Sequence, residues 1–207
     1  MTDETPTSEA TLSRIAKVLP RVSEQCWDFK FLTSVAQQME KGRTLSPGQD
    51  NCLRQIEGRH SDEAINAAEE WKASWDEEKE RNFTIAARYY KTSGYYSSIV
   101  HKYFDANNKR QGIPYQKEYG KIVNNKYAAA IIANLTSEPK FHAGSWVVHN
   151  SKQLNDGKPM TIIENSDDPT KVSSYAKGAR PVRVLKVGDM IPYWTEERFL
   201  KKYKHKK

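Results

Sequence analysis

From Leu12 to about Leu135 the apolar residues return at helical intervals, and after Glu138-Pro139 they fall into short strand-like runs. Leu12, Ile15, Ala16 and Leu19 mark a first helix that Pro20 ends; residues 1–10 before it carry no apolar period and are expected to be disordered. Trp27, Phe31, Val35 and Met39, widened by Leu32, predict a second helix from about Glu24 to Lys41, with Gly42 as its stop. Ser46-Pro47-x-Gln49 reads as a capping box ahead of a helix that carries Leu53 and Ile56 and ends at Gly58. Ser61 and Asp62 open another, whose Ile65, Ala68, Trp71 and Trp75 share a face. The block Asp76 to Arg81 reads as a solvated stretch with a Glu77/Arg81 pair at i,i+4, and a last helix is expected from about Tyr115 to Leu135.

The strand-like runs are Ser145 to His149, Met160 to Glu164, Pro181 to Val187 and Met190 to Trp194, separated by loops rich in Asn, Asp, Gly, Pro and Ser. Strands this short and this closely spaced suit a small barrel. The fold class expected is α+β. Residues 11–138 form an N-terminal helical module, acidic to about residue 82, and residues 139–200 form the small C-terminal β-barrel, followed by a basic tail at 201–207.

Composition changes this picture at one place. From Arg88 to Tyr127 the chain holds eight of its 11 tyrosines, with eight Lys/Arg against only Asp105 and Glu118. Charge changes along with it. Residues 1–82 carry 11 Lys+Arg against 16 Asp+Glu, whereas residues 83–207 carry 22 against 10, so the formal +7 hides an acidic start and a basic remainder. Many cations on one stretch favour a polyanionic partner through counterion release.

Interleaved tyrosine and Lys/Arg can offer stacking faces and phosphate contacts together. The candidate nucleic-acid contacts are Arg88, Tyr90, Lys91, Tyr95, Lys102, Lys109 and Arg110 in the helical stretch. In the barrel they are Lys171, Lys177, Arg180 and Arg183, the first three in or beside the basic loop Ser173 to Arg180. The competing reading of the tyrosines is ordinary packing with hydroxyls at the rim. Trp27, Trp71 and Trp75 are the candidate protein-docking anchors of the acidic half, against a competing role in its core.

Catalytic signals are missing. The five histidines lack metal-ligand spacing, the Gly-rich phosphate loops and nucleophile elbow are absent, and the adjacent carboxylates Asp167-Asp168 and Glu196-Glu197 diverge on any regular element. Hence neither catalysis nor a metal or other cofactor is expected. Cys26 and Cys52 read as reduced and buried, and the polar, acidic N-terminus and lack of a long apolar run point to a cytoplasmic protein without a membrane span.

Two resemblances refine these expectations. Lys140-Phe141-His142-Ala143-Gly144-Ser145-Trp146-Val147-Val148 resembles the opening strand of SH3-like small barrels, and Thr195 to Lys202 resembles their closing strand or turn; this implies an SH3-like barrel over roughly Lys140 to Lys202. Phe31-Leu32-x-Ser34, Gly42-Arg43-x-Leu45-Ser46-x-x-Gln49, Tyr89-Tyr90 and Asn125-Lys126-Tyr127-Ala128 are similar to helical modules of bacteriophage proteins associated with DNA metabolism. That similarity implies a phage accessory role with nucleic acid as the partner, DNA favoured over RNA, and supplies no catalytic residues. The alternative is a protein–protein adaptor or inhibitor whose acidic helical half docks on a host or viral enzyme.

Overall fold

The computed structural model describes residues 7–107, 109–151, 156–172 and 178–204. The chain is α+β and folds as two compact units, Met1–Ser74 and Trp75–Lys207. The first carries 9 Lys+Arg against 12 Asp+Glu and the second 24 against 14, so the charge division of the sequence follows the units.

The first unit holds α1 (Ser8–Val18), α2 (Trp27–Glu40), α3 (Pro47–Arg59) and α4 (Asp62–Ala73). Thr7 caps α1 by accepting the Ala10 N–H at 3.3 Å. The helix therefore starts at Ser8, ahead of its first apolar residue, and the disorder expected at 8–10 is replaced by helix; residues 1–6 lie outside the described residues. The capping box forms both ways, Gln49 N–H to Ser46 Oγ at 3.2 Å and Ser46 N–H to Gln49 Oε1 at 3.0 Å. Gly58 lies inside α3, which ends at Arg59.

Leu32, Leu53 and Ile56 are completely buried with Ile15, Val35 and Met39, each such side chain contributing about 1.5 to 3 kcal/mol. Arg14 ties this unit together. Its Nη1 donates to Asp50 Oδ1 at 2.7 Å, while Nε and Nη2 reach the two oxygens of Glu57 at 2.8 and 2.7 Å. The bond from Arg14, with help from Arg54, holds the Asp50 carboxyl below its ordinary pKa despite burial.

The second unit opens with α5 (Glu77–Ser93), α6 (Ser97–Tyr103), α7 (Gln116–Val123) and α8 (Lys126–Thr136). The block Asp76 to Arg81, whose Asp76, Glu77, Glu78 and Arg81 are exposed as expected, opens α5: Asp76 accepts the Lys79 N–H at 2.7 Å as N-cap, and Glu77, Glu78 and Glu80 crowd the positive end of the helix. The single helix expected from Tyr115 to Leu135 is two. It breaks at Asn124-Asn125, where the Asn125 side chain caps α8 by accepting the N–H groups of Tyr127 and Ala128.

Five antiparallel strands follow: β1 (Trp146–His149), β2 (Met160–Asn165), β3 (Pro181–Lys186), β4 (Tyr193–Glu196) and β5 (Leu200–Lys202), in the order β4-β3-β2-β1-β5. Among the described residues the sheet is open, since β4 and β5 are its edges and no ladder joins them. Its inner face buries Val147, Met160, Ile162, Val182, Val184 and Leu200.

Polar contacts join these helices to the sheet region. Arg81 and Arg88 of α5 meet Asp167 and Asp168 at 3.0 and 3.5 Å, the second of these carboxylates capping a short 3-10 turn at Pro169–Lys171. Arg180, 5% exposed, donates to the carbonyls of Asn134 (2.8 Å) and Ser137 at the end of α8. Helices α5 to α8 thus share one compact unit with the sheet. Among the described residues no helix is long and apolar enough to cross a membrane.

Candidate functional site

α5 ends at Gly94, whose φ of 77° is the left-handed cap that glycine adopts without strain. Two residues on, Tyr96 takes the same region with φ 54° and ψ 27°, alone among the described non-glycine residues. A side chain there costs on the order of 1 kcal/mol or more. The conformation is held from two sides. The Tyr96 carbonyl accepts the N–H groups of Ile99 and Val100 at 2.9 and 3.0 Å, opening α6, and its ring meets Tyr90 edge-on at 4.9 Å.

The result is a cleft of about 490 Å3 lined by Tyr89, Tyr90, Tyr95, Tyr96, Asn125, Lys126 and Tyr127. Tyr90 forms its buried wall. It is 3% exposed, lies 4.9 Å from Tyr89, and donates its hydroxyl to Asn125 Oδ1 at 2.6 Å. Burial pushes that hydroxyl above its ordinary pKa, so it stays a neutral donor. The same Asn125 oxygen caps α8, so one side chain fixes both the cleft wall and the helix that carries Lys126 and Tyr127.

The outer rings remain open: Tyr95 is 71% exposed, Tyr127 61% and Tyr96 40%. Lys126 Nζ lies 5.0 Å from the Tyr127 ring centre and is the one charged side chain in the lining among the described residues. A partner with planar π faces suits the rings, and an anion suits Lys126. A cationic guest would meet Lys126 with no carboxylate in the lining to compensate it.

Several residues expected to contact nucleic acid serve the fold. Tyr90, expected as a contact, is buried in the core of the second unit, with Tyr96 closing over its ring. Lys102 is bound to Glu118 at 2.9 Å and lies over the rings of Tyr103 and Tyr115. Arg110 donates to Glu80 Oε1 at 2.7 Å and packs over the Trp75 ring. Arg180 is the buried tie to α8, and burial depresses its pKa. Arg88 is paired with Asp168, and Arg183 lies 3.8 Å from Glu164.

Of the others, Lys171 stands over the Trp194 ring at 5.6 Å, Lys91 and Lys109 are exposed, and Lys177 falls outside the described residues together with most of the basic loop. The carboxylate pairs are likewise structural: Asp167 and Asp168 face arginines of α5, Glu196 holds Arg198, and Glu197 accepts the Phe141 N–H at 3.1 Å. Among the described residues no group of three His, Cys, Asp or Glu is placed to hold a metal ion.

Comparison with protein-family models, curated proteins and solved structures finds no match. What the chain can do follows from its own side chains. Of the tryptophans expected to dock a protein, Trp75 packs against Phe83 and Tyr119 and gives its N–H to Glu80 at 3.0 Å, which makes it a core residue of the second unit. Trp71 is half-buried on α4, whereas Trp27 is 60% exposed and stacks on Phe31 at 5.1 Å.

Tyr89, Tyr96, Asn125, Lys126 and Tyr127 line the cleft without having been expected as contacts, although Tyr89 and Asn125-Lys126-Tyr127 lie in the segments that carry the phage resemblance. One signal for three of them was present. Asn is a strong N-cap, and Asn124-Asn125 inside an apolar helical pattern marks the break that brings Lys126 and Tyr127 beside Tyr90.

Proposed function

We propose that the second unit binds nucleic acid without chemistry, stacking bases on the tyrosine cleft and holding phosphates with Lys126 and neighbouring cations. The observation that carries this reading is the cleft itself, three of whose rings are open beside an ammonium group with no carboxylate in the lining. Base–aromatic stacking contributes about 1 to 3 kcal/mol per base and tolerates any sequence. A single strand is the matching form, because a duplex hides its base faces; DNA is the form favoured.

A phage accessory role in a cytoplasmic setting is part of the same proposal, resting on the resemblance of the helical segments. The finer reading of the sheet as an SH3-like barrel has its own support. A 3-10 turn at Glu197–Phe199 carries the chain from β4 at one edge to β5 beside β1, and His149 Nε2 of β1 lies 3.2 Å from Tyr193 Oη of β4, two strands that are not neighbours in the order.

The test is fluorescence anisotropy of labelled oligothymidylate with the full chain. Binding should weaken with salt by about 0.7 in log K per log salt for each phosphate contacted. Tyr95→Ala and Tyr127→Ala should each weaken it by roughly 5- to 150-fold, the equivalent of 1 to 3 kcal/mol. Absence of binding, or binding indifferent to both substitutions, overturns the proposal.

A second reading rests on Trp27. An exposed tryptophan stacked on Phe31 in the acidic unit is the surface an adaptor would dock through. A partner that co-purifies after nuclease treatment and is lost with Trp27→Ala would favour that reading.

A further inference from the structure

The second unit has another cleft of about 490 Å3, lined by Lys140, Phe141, Gly144, Ser145, Trp146, Lys202 and Tyr203. It is built on paired backbone. Gly144 N–H donates to Ile162 O at 2.7 Å, Ile162 N–H to Ser145 O at 3.0 Å, and Tyr203 N–H to Trp146 O at 3.0 Å, which fixes the segment leading into β1 against β2 on one side and the end of β5 on the other. Phe141, 8% exposed, forms the floor with Lys140 Nζ 5.1 Å from its ring centre.

Trp146, 48% exposed at the head of β1, precedes the buried Val147 and so stands on the opposite face of the strand. Lys140 and Lys202 are the charged members of the lining among the described residues, and Lys201 and Lys204 lie exposed beside Lys202 along the chain. The cleft therefore repeats the chemistry of the tyrosine cleft with separate residues, an open aromatic face together with ammonium groups and no carboxylate in the lining. Two ammonium groups and an open indole in one lining suit a unit that joins a planar face to anionic groups, and a nucleotide within a strand has that form. An acidic peptide matches the charge and leaves the ring without a planar partner.

We propose that this cleft is a second nucleotide subsite, with a base stacked on Trp146 and phosphates held by Lys140 and Lys202. The proposal rests on the reading that the unit binds a nucleic-acid strand. A strand engaging both clefts gains affinity with length as the second contact becomes intramolecular.

The test is 19F NMR of the full chain labelled with 5-fluorotryptophan, the Trp146 resonance being assigned with Trp146→Phe, during titration with oligothymidylate. A parallel sample labelled with 3-fluorotyrosine, assigned with Tyr95→Phe, reports the tyrosine cleft. The expected result is a shift at both Trp146 and Tyr95. In the Lys140→Gln/Lys202→Gln double variant the salt slope should fall by about 1.4, for two single-strand phosphates, with the Tyr95 shift retained. A shift at Tyr95 without one at Trp146 overturns the second subsite and leaves the tyrosine cleft standing; no shift at either overturns both. A Trp146 shift of equal size with poly-glutamate overturns the assignment to a nucleotide.

Discussion

Midway along α5, Phe83 is set among Trp75, Tyr103, Phe104 and Tyr119, with ring centres 5.7 to 6.2 Å away, whereas the last turns of the same helix set Tyr89 and Tyr90 among Tyr95, Tyr96 and Tyr127. Both groups are aromatic and both have cations beside them. At Phe83 the cations are neutralised, Arg110 by Glu80 and Lys102 by Glu118, and Tyr103 gives its hydroxyl to Glu118 as well. At Tyr90 the wall is buried, the outer rings are open, and Lys126 has no carboxylate in the lining. One aromatic-basic composition thus makes a core at one place and an open cleft at another. What separates them is the placing of two glutamates and of one helix break.

The largest expected effect breaks the core side of this comparison. Phe83→Ala, at a fully buried ring, should cost about 3 to 5 kcal/mol in chemical denaturation followed by near-UV circular dichroism. Tyr95→Ala in the same assay should stay within about 0.5 kcal/mol. Tyr103→Phe deletes the hydroxyl bond to Glu118 and should cost roughly 1.5 to 3 kcal/mol, with oligonucleotide affinity unchanged. A loss of affinity there would mean that the two aromatic groups are not separable.

A pH titration sharpens the comparison further. Burial alone would raise the pKa of Glu118, but the Tyr103 hydroxyl and the Lys102 ammonium outweigh it and the net shift is downward. A carboxyl depressed in the folded state contributes stability above its unfolded pKa, about 4.3, and loses that contribution as pH falls through the lower folded value. Glu118→Gln should therefore flatten the acid limb of the stability curve measured by denaturant midpoint against pH. The smallest effect belongs to Lys126→Gln, which should reduce the salt slope of oligonucleotide binding by about 0.7 and leave stability unchanged.

Much of the fold is legible along the chain because its signals are local. The Ser46 box, the Ser61 cap and the change from helical to strand pattern after Pro139 depend on near neighbours in sequence, and the structure has all three. The errors arise where a side chain answers to a distant partner. Glu80 reads as one more charge of a solvated run until it is seen as the partner of Arg110, 30 residues on.

The candidate site was less legible for the same reason. Tyr90 lies buried because Tyr96, held in a left-handed conformation, closes over it, and no helical wheel contains that turn. Arg180 resembles any loop arginine until its carbonyl partners on Asn134 and Ser137 are known. Charge count pointed to the basic half of the chain, yet Arg88, Lys102, Arg110, Arg180 and Arg183 all have carboxylates within 4.0 Å. A cation's meaning depends on its partner, and partners are set by the fold.

The most direct measurement is the affinity of the full chain for oligothymidylate, wild type beside the Tyr95→Ala/Tyr127→Ala double variant, with equal denaturation midpoints as the control for folding. The tyrosine-cleft account predicts salt-sensitive binding by the wild type and a loss of at least about tenfold, or 1.4 kcal/mol, in the variant. Equal affinity in two equally stable proteins would contradict it.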